Sequence, residues 1–141
     1  MNYGINRVEV WSGEVRDRRG ALADMLKVVL EAGANLDFII ARPSPVKPAT
    51  GILYLAPLEG EAQLKAAQDA GLHPSSHIEA LRVEGPDRPG LAEQITRTIA
   101  DAGINVSGFT GGRMADRCVM YIRFERVDEL EKAHDLLEAT L

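Results

Sequence analysis

The sequence predicts an α+β fold built from two similar units, and three observations predict it. Residues such as Asp17 recur at a constant spacing, in this case as Asp87, 70 positions later. Each recurring turn is followed by apolar residues at helical spacing, and short β-favouring runs surround the helices. Self-similarity at one fixed offset indicates a duplicated structural unit. We therefore predict two domains, a first copy in residues 1–77 and a second copy in residues 78–141.

The repeat extends from this turn to the far end of the segment that follows it. The other recurring residues are Arg18 and Gly20 with Arg88 and Gly90, and Ala32, Gly33 and Asn35 with Ala102, Gly103 and Asn105. Because the offset is the same on both sides of the intervening segment, that segment has one length in both copies. Duplication of a whole unit explains this better than chance.

The elements of the first copy follow in order. The run Val8 to Gly13 favours a strand that ends in a turn. A helical stripe comes next, formed by Leu22, Met25, Leu26, Val29 and Leu30. Gly33 ends this helix, because glycine adopts the left-handed conformation without steric cost. The branched runs Leu36 to Ala41 and Ile52 to Ala56 are too short for helices and predict strands, and Glu61 to Ala70 predicts a second helix.

The second copy repeats this order. Its predicted strands are Ile78 to Glu84, Val106 to Phe109 and Val119 to Phe124; its predicted helices carry the stripe Leu91, Ile95 and Ile99 and the segment Val127 to Leu141. In both copies we predict a loop between the second and third strands. The first, Arg42 to Thr50, contains three prolines that disfavour a ladder, and the second, Gly111 to Arg117, is glycine-rich.

An order of βαββαβ with both helices on one face of an antiparallel sheet is a ferredoxin-like sandwich. Gly71 to His77 can supply the fourth strand of the first copy, whereas the second copy ends at Leu141 and lacks its own fourth strand. Its edge strand must then be completed from outside the copy or remain open. The candidates are Leu72 to His77 folding back, the N-terminal residues Asn2 to Asn6, or the same edge of a second chain.

The sheet of the first copy also predicts self-association. Phe38 to Ala41 and Ile52 to Leu55 are apolar at consecutive positions, whereas a sheet covered on one face only alternates apolar and polar residues. Large exposed apolar patches are uncommon on monomers. We therefore expect a homo-oligomer, most simply a homodimer.

Composition and charge limit the function classes. The net charge is -5 and the basic residues form no long run, which disfavours nucleic-acid and membrane partners. The lone Cys118, the absence of a signal-peptide pattern and the absence of long apolar runs predict a cytoplasmic protein. No catalytic constellation and no cofactor motif is readable. Pro74 lies between His73 and His77 and argues against a helical metal pair, so no metal site is predicted.

Two segments of the second copy resemble a known family. The sequence LRVEGPDRPGL at Leu81 to Leu91, followed after the helix by AGINV at Ala102 to Val106, is similar to the signature of the ACT domain. The first copy matches with two departures, because Arg19 stands where proline is usual and Ala34 where isoleucine is usual. The order, spacing and repetition of these segments identify the chain as resembling a tandem pair of amino-acid-binding ACT domains.

The resemblance implies a ligand site where the turn between the first strand and first helix faces the start of the second strand. The implied residues are Asp17, Arg18, Gly20, Ala21, Leu22, Asn35 and Leu36, and Asp87, Arg88, Pro89, Gly90, Leu91, Asn105 and Val106. Free N–H groups at a helix N-terminus favour a carboxylate, and an aspartate can accept from an α-ammonium group. The alternative is that the aspartates are helix N-caps, the glycines turn residues and the asparagines strand caps, with no ligand.

We therefore predict a non-catalytic regulatory protein that binds a small amino acid or similar zwitterion and signals to a separate enzyme or regulator. The alternative is a regulatory or interaction subunit that binds a protein partner without a small ligand. Nucleic-acid binding on the sheet requires exposed aromatic residues and positive charge, both of which are scarce, and an enzyme lacks a catalytic set. Because Pro89 pre-sets the second turn and Arg19 does not pre-set the first, we expect the better-formed site in the second copy.

Overall fold

The computed structural model describes the backbone of residues 3–141 and the side chains of residues 3–75 and 80–141. The elements are β1 (Gly4–Arg16), α1 (Ala21–Glu31), β2 (Phe38–Pro43), β3 (Thr50–Ala56), α2 (Glu61–Asp69), β4 (His73–Pro86), α3 (Leu91–Asp101), β5 (Gly108–Met114), β6 (Arg117–Phe124) and α4 (Val127–Thr140). The chain divides into a first unit, Glu9–Ser75, and a second unit, residues 3–8 with Ser76–Leu141. The predicted α+β class with two ferredoxin-like, ACT-like units is confirmed.

The first unit has the strand order β2-β3-β1-β4, in which β4 contributes its first residues. β3 pairs antiparallel with β1, Leu55 opposite Trp11, and antiparallel with β2, Ala56 opposite Phe38. The core between the sheet and helices α1 and α2 consists of Trp11, Val29, Ala34, Leu53, Leu55, Ala67 and Leu72. Those in strands and helices fall on one face of their element, as the sequence periodicity predicts, whereas Ala34 and Leu72 follow the ends of α1 and α2.

The second unit repeats this arrangement with the order β5-β6-β4-β1, in which β1 contributes its first residues. β6 pairs antiparallel with β4, Ile122 opposite Leu81, and antiparallel with β5, Ile122 opposite Phe109. Its core is larger and consists of Ile5, Leu81, Val83, Leu91, Ile95, Ile99, Ile104, Cys118, Met120, Ile122, Phe124, Leu130, Ala133, Leu137 and Leu141. Helices α3 and α4 therefore supply much of the burial in this unit.

The fourth strand of the second unit comes from the N-terminal part of β1. Ile5 is buried in the core of this unit, and its carbonyl oxygen lies 3.2 Å from His134 Nε2. Tyr3 donates its hydroxyl hydrogen to the carbonyl oxygen of Pro86 over 2.7 Å, and Arg7 lies 3.5 Å from Glu131. Of the three candidates in the sequence, the N-terminal segment is the one that fills this position in the structure; Asn2 lies outside the described residues.

The division into 1–77 and 78–141 therefore needs a correction at the N-terminus. Residues 3–8 belong with the second unit, because β1 is long enough to contribute one part to each unit. The sequence pattern predicted only Val8 to Gly13 as a strand, since the preceding Asn6 and Arg7 interrupt its apolar periodicity. Burial of Ile5 on the second unit's core compensates for that weak local preference.

The connections between the second and third strands differ from the predicted loops. β2 continues to Pro43, which pairs opposite Gly51, and β5 continues to Met114, opposite Arg117. Proline is tolerated because β2 is an edge strand, so a missing N–H on its outer side removes no ladder hydrogen bond. Both connections are hairpins, and that of the first unit is the longer one.

Candidate functional site

The turn between strand and helix has the same backbone in both units. Gly20 and Gly90 precede α1 and α3 with φ of 84° and 82°, in the left-handed region that favours glycine. Neither helix has a side-chain cap hydrogen bond, so Asp17 and Asp87 do not act as N-caps. The glycines are therefore explained by the backbone conformation, and the aspartate side chains are left to other roles.

The two turns are anchored to the hairpin of their own unit. The N–H of Asp17 donates to the carbonyl oxygen of Ala49 over 3.0 Å, and the N–H of Asp87 donates to that of Asp116 over 2.8 Å. These hydrogen bonds hold the backbone of each aspartate against the hairpin. The hairpin between the second and third strands is therefore part of the site, although the sequence prediction did not include it.

The two carboxylates have different surroundings. Asp87 Oδ2 lies 3.9 Å from the Arg113 guanidinium, and the Asp87 side chain is 29% exposed. Asp17 is exposed, and among the residues whose side chains are described no cation lies within ion-pair distance of it. Strand pairing places Pro43 of the first unit where the second unit has Arg113, which explains the difference. Among the described side chains, Asp17 therefore has no ion-pair partner, in contrast to Asp87.

The arginine after each aspartate also reaches across the start of its helix. Arg18 Nη2 lies 3.7 Å from Asp24, and Arg88 donates a hydrogen bond to Gln94, the residue that corresponds to Asp24 in the repeat. Arg18 is more than half exposed, so this ion pair contributes little to stability. Both arginines therefore pair locally, with the first turn of the helix that follows them.

A cavity of about 210 Å³ lies at this turn of the first unit. It is lined by Val15, Arg16, Asp17, Arg18, Leu22, Ala41, Arg42, Pro43 and Gly51. The strand residues at the end of β2 form the side of the cavity that faces the turn. The site therefore joins the ends of β1, β2 and β3 to the beginning of α1.

The cavity contains some of the residues implied by the resemblance and not others. Asp17, Arg18 and Leu22 line it, whereas Asn35 and Leu36 are not among its lining residues. Ala21 is buried in the protein, and Asn35 is exposed to solvent. The contribution of the second strand comes from its far end and not from its start.

Six lining residues were not predicted from the sequence: Val15, Arg16, Ala41, Arg42, Pro43 and Gly51. The proline-rich segment after Ala41 was interpreted as a connection, so no register was assigned to Arg42 or Pro43. The signal that could have found them is the position of Gly51 at the start of the third strand. A glycine inside a strand often marks close approach of a ligand or of another backbone.

The corresponding position of the second unit is lined by different residue types. Cys118 stands where the first unit has Gly51, and Gly111 and Gly112 stand where it has Ala41 and Arg42. The Cys118 side chain is buried, with Sγ 4.0 Å from the carbonyl oxygen of Pro86. Burial raises the pKa of this thiol, and the nearby Asp87 carboxylate raises it further. Cys118 is therefore a buried packing residue whose thiol is harder to deprotonate than a free one.

The remaining residues implied in the second unit are dispersed between core and surface. Leu91 is buried in the core, Val106 packs against that core from a half-buried position, and Arg88, Pro89, Gly90 and Asn105 are exposed.

Within residues 3–75 and 80–141, no group of three or more His, Cys, Asp or Glu side chains could hold a metal ion. The side chain of His77 lies outside the described residues. No helix in the described part of the chain is both long and apolar enough to cross a membrane.

Residues 80–140 match the family model described as ACT domain. No curated protein sequence matches the chain significantly. A solved structure from Bacteroides thetaiotaomicron is similar in fold, with a TM-score of 0.77 and 15% identity over 99% of this chain and 91% of that one.

The regulatory subunit of aspartate kinase from Thermus thermophilus is also similar, with a TM-score of 0.65 and 14% identity over 99% of this chain and 96% of that chain. The same subunit from Thermus flavus has a TM-score of 0.61 and 15% identity over 99% and 96% of the two chains. At these identities the likeness concerns the fold. The likeness to the ACT domain model therefore covers residues 80–140, and the chain as a whole is similar in fold to these regulatory subunits.

Proposed function

We propose that the protein is a non-catalytic regulatory protein that binds a free amino acid in the cavity of the first unit. The observation that carries the proposal is this cavity of about 210 Å³, whose lining includes Asp17 and Arg18. A zwitterion presents an ammonium and a carboxylate on one carbon atom, and this pair of side chains complements both.

The size of the cavity supports a small ligand. Pockets for drug-sized molecules measure roughly 300–1,000 Å³, so the cavity suits a molecule the size of an amino acid better than a nucleotide. Leu22 and Val15 add apolar surface to the lining. We propose that these residues contact the part of the ligand between its charged ends.

The ACT domain at residues 80–140 supports a regulatory role for this binding. A ligand shifts an equilibrium only through a difference in affinity between two states. We propose that the two states are read by a separate enzyme or regulator. Aspartate kinase regulatory subunits with this fold are the precedent for such a partnership.

Calorimetric titration of the full chain with the twenty common amino acids tests the proposal. We expect one amino acid or a few related ones to bind, and Asp17→Asn to weaken binding at least about tenfold, because a charge-assisted hydrogen bond is lost. Asp87→Asn is the matched variant in the second unit. Equal loss in both variants, or loss in Asp87→Asn alone, would place the site elsewhere.

A protein-binding role without a small ligand is the second candidate, and a specific observation favours it. Helix α1 exposes Val28 and Leu30, which are 40% and 49% exposed, whereas the corresponding positions of α3 are Thr98 and Ala100. If no amino acid binds in the titration, helix α1 becomes the better candidate for the functional interface. Binding of an amino acid that Asp17→Asn abolishes would argue for the ligand site instead.

We also propose a homodimer, because the apolar side chains of Val28 and Leu30 are exposed on α1. The double variant Val28→Glu with Leu30→Glu is expected to sediment as a monomer where the unmodified chain sediments as a dimer. Glutamates at Thr96 and Arg97 of α3 serve as the control, since both positions are exposed. A monomeric unmodified chain at micromolar concentration would contradict the dimer.

A further inference from the structure

The strand register separates apolar from charged side chains at the cavity of the first unit. Val15 and Pro43 both lie opposite Gly51, one in each strand that flanks β3, so they share one face of the sheet. Arg16 and Arg42 are their neighbours in the chain, and successive side chains of a strand point to opposite faces. The two arginines therefore border the cavity with their side chains directed to the other face of the sheet.

The contacts around Gly51 agree with this register. Leu53, two residues after Gly51, belongs to the core, so their common face is the one toward α1 and α2. A Cβ atom at Gly51 would lie 3.1 Å from Val15 Cγ1, which places the Val15 side chain over this glycine. Arg42 lies over the ring of Tyr54, 5.5 Å from its centroid, on the opposite face. The strands therefore present apolar side chains to the cavity.

The apolar part of the lining is particular to the first unit. Among the described residues it consists of Val15, Leu22, Ala41 and Pro43. Ala41 and Pro43 are exposed although they lie on the face of the sheet that carries the core. The fold does not require this lining, because the second unit has at the same four positions Gly85, Ala92, Gly111 and Arg113.

The charged part of the lining comes from the turn, with one negative residue, Asp17, and one positive residue, Arg18. Their formal charges cancel, as do those of the ammonium and carboxylate groups of a neutral amino acid. An acidic or basic side chain on the ligand would add a charge that these two residues leave uncompensated.

The lining also lacks partners for a polar ligand side chain. No hydroxyl or amide side chain is part of it among the described residues. A hydroxyl or amide group of a ligand would therefore lose water without gaining a side-chain partner, which costs free energy, whereas an apolar group gains from the same burial. We propose that the ligand is a neutral amino acid with an apolar side chain; this inference rests on the proposed function.

Titration calorimetry of the full chain with isosteric pairs of amino acids tests this inference. L-Valine and L-threonine have nearly the same shape, as have L-leucine and L-asparagine, and the members of each pair differ in polar atoms. We expect the better of valine and leucine to bind at least about tenfold more tightly than its own polar isostere, because the polar atoms of the isostere lose water in the cavity.

Leu22→Ala tests whether the lining itself makes this distinction. Leu22 is 36% exposed, and its truncation should reduce the affinity for the better ligand about fivefold through lost apolar contact. Circular dichroism verifies that the fold is intact. Val127→Ala is the matched control, because Val127 is 43% exposed in the first turn of another helix, α4, and should leave the affinity unchanged.

The outcomes separate this inference from the proposed function. Equal affinity within each isosteric pair would overturn the inference. Tighter binding of a charged or hydroxyl-bearing amino acid than of valine and leucine would do the same. In either case, weaker binding in Asp17→Asn would leave the proposed function intact. If none of the twenty amino acids binds, the proposed function fails and the inference fails with it.

Discussion

The two units of the chain have the same topology and the same turn but differ in what their side chains achieve. Among the described residues, the second unit buries fifteen core residues in one cluster and has the Arg113–Asp87 ion pair and the buried Cys118 at its turn. By the same measure the first unit buries seven core residues, and it leaves a cavity at the corresponding turn. The same turn therefore lies in a unit with a large apolar cluster in one case and beside a cavity in the other.

The smaller core of the first unit has a physical consequence. Regions with fewer buried apolar contacts open at lower free energy, and binding sites are commonly found in them. A ligand that binds only the closed form then stabilises that region by mass action. Substitutions at corresponding positions test the comparison between the units, and their expected effects range from several kcal/mol in the core to a fraction of that at the surface.

Truncation of the second unit's core is expected to have the largest effect. Ile99 is 0% exposed, and Ile99→Ala should lower the free energy of unfolding by about 2–5 kcal/mol through lost burial and a residual cavity. Urea denaturation followed by circular dichroism measures this change. Lys27→Ala, at an exposed position of α1, is the control and should cost no more than about 0.5 kcal/mol. A similar loss of unfolding free energy in both variants would contradict the conclusion that the apolar core stabilises the second unit.

Gly13 distinguishes the packing of the two units. A Cβ atom at this position would lie 2.8 Å from the carbonyl oxygen of Gly71, whereas the corresponding position of the repeat is Val83, a buried core residue. Gly13→Val should therefore lower the free energy of unfolding by about 1–3 kcal/mol, the usual cost of overpacking. Ser12→Ala, one residue away, is the control. A stable Gly13→Val variant would show that the first unit packs no more closely at this position than the second.

The glycines before α1 and α3 should behave alike, because their backbone is the same. Gly20 and Gly90 have φ of 84° and 82°, and a Cβ atom on either would meet no atom within 4 Å. Gly20→Ala and Gly90→Ala should thus each cost about 1–2 kcal/mol from the left-handed backbone alone. Thermal unfolding of the two variants provides the measurement. Costs that differ by more than about 1 kcal/mol would mean that the turns are not equivalent.

Arg113→Gln is expected to have the smallest effect. The Arg113 to Asp87 ion pair is 3.9 Å long and the arginine is 71% exposed, so its loss should change the free energy of unfolding by less than about 1 kcal/mol. The same variant should gain no second ligand site in titration calorimetry, because Cys118 still occupies the position of Gly51. Appearance of a second binding event would show that the ion pair alone blocks the second turn.

Much of the fold was predictable because the constant offset of the repeat aligns the two copies with each other. The constant offset fixed the lengths of the turn and first helix, and Gly33 and Gly103 end their helices with the expected positive φ. The N-terminal part of β1 was not predicted as a strand. Its pairing depends on residues more than 70 positions away, which local periodicity does not report.

The candidate site was predictable only on its turn side. Asp17, Arg18 and Leu22 were found because they follow the repeat, whereas Arg42 and Gly51 entered through strand register. The register of β2 and β3 depends on the geometry of their hairpin, and the prolines of this segment led us to predict a loop there. The preference for the second unit, based on Pro89, considered the stiffness of the turn and not the volume of the side chains opposite it.

The path of β1 makes the first unit an insertion within the second. Its two ends lie on β1 and β4, which are neighbouring strands, so folding of residues 9–75 brings the interrupted parts of the second unit together in the chain. Closing a long loop is entropically costly, and a folded insertion removes most of that cost in advance. The first residues of β1 therefore meet β4 at an effective concentration that depends on whether the first unit is folded. A ligand that holds the first unit folded would raise that concentration.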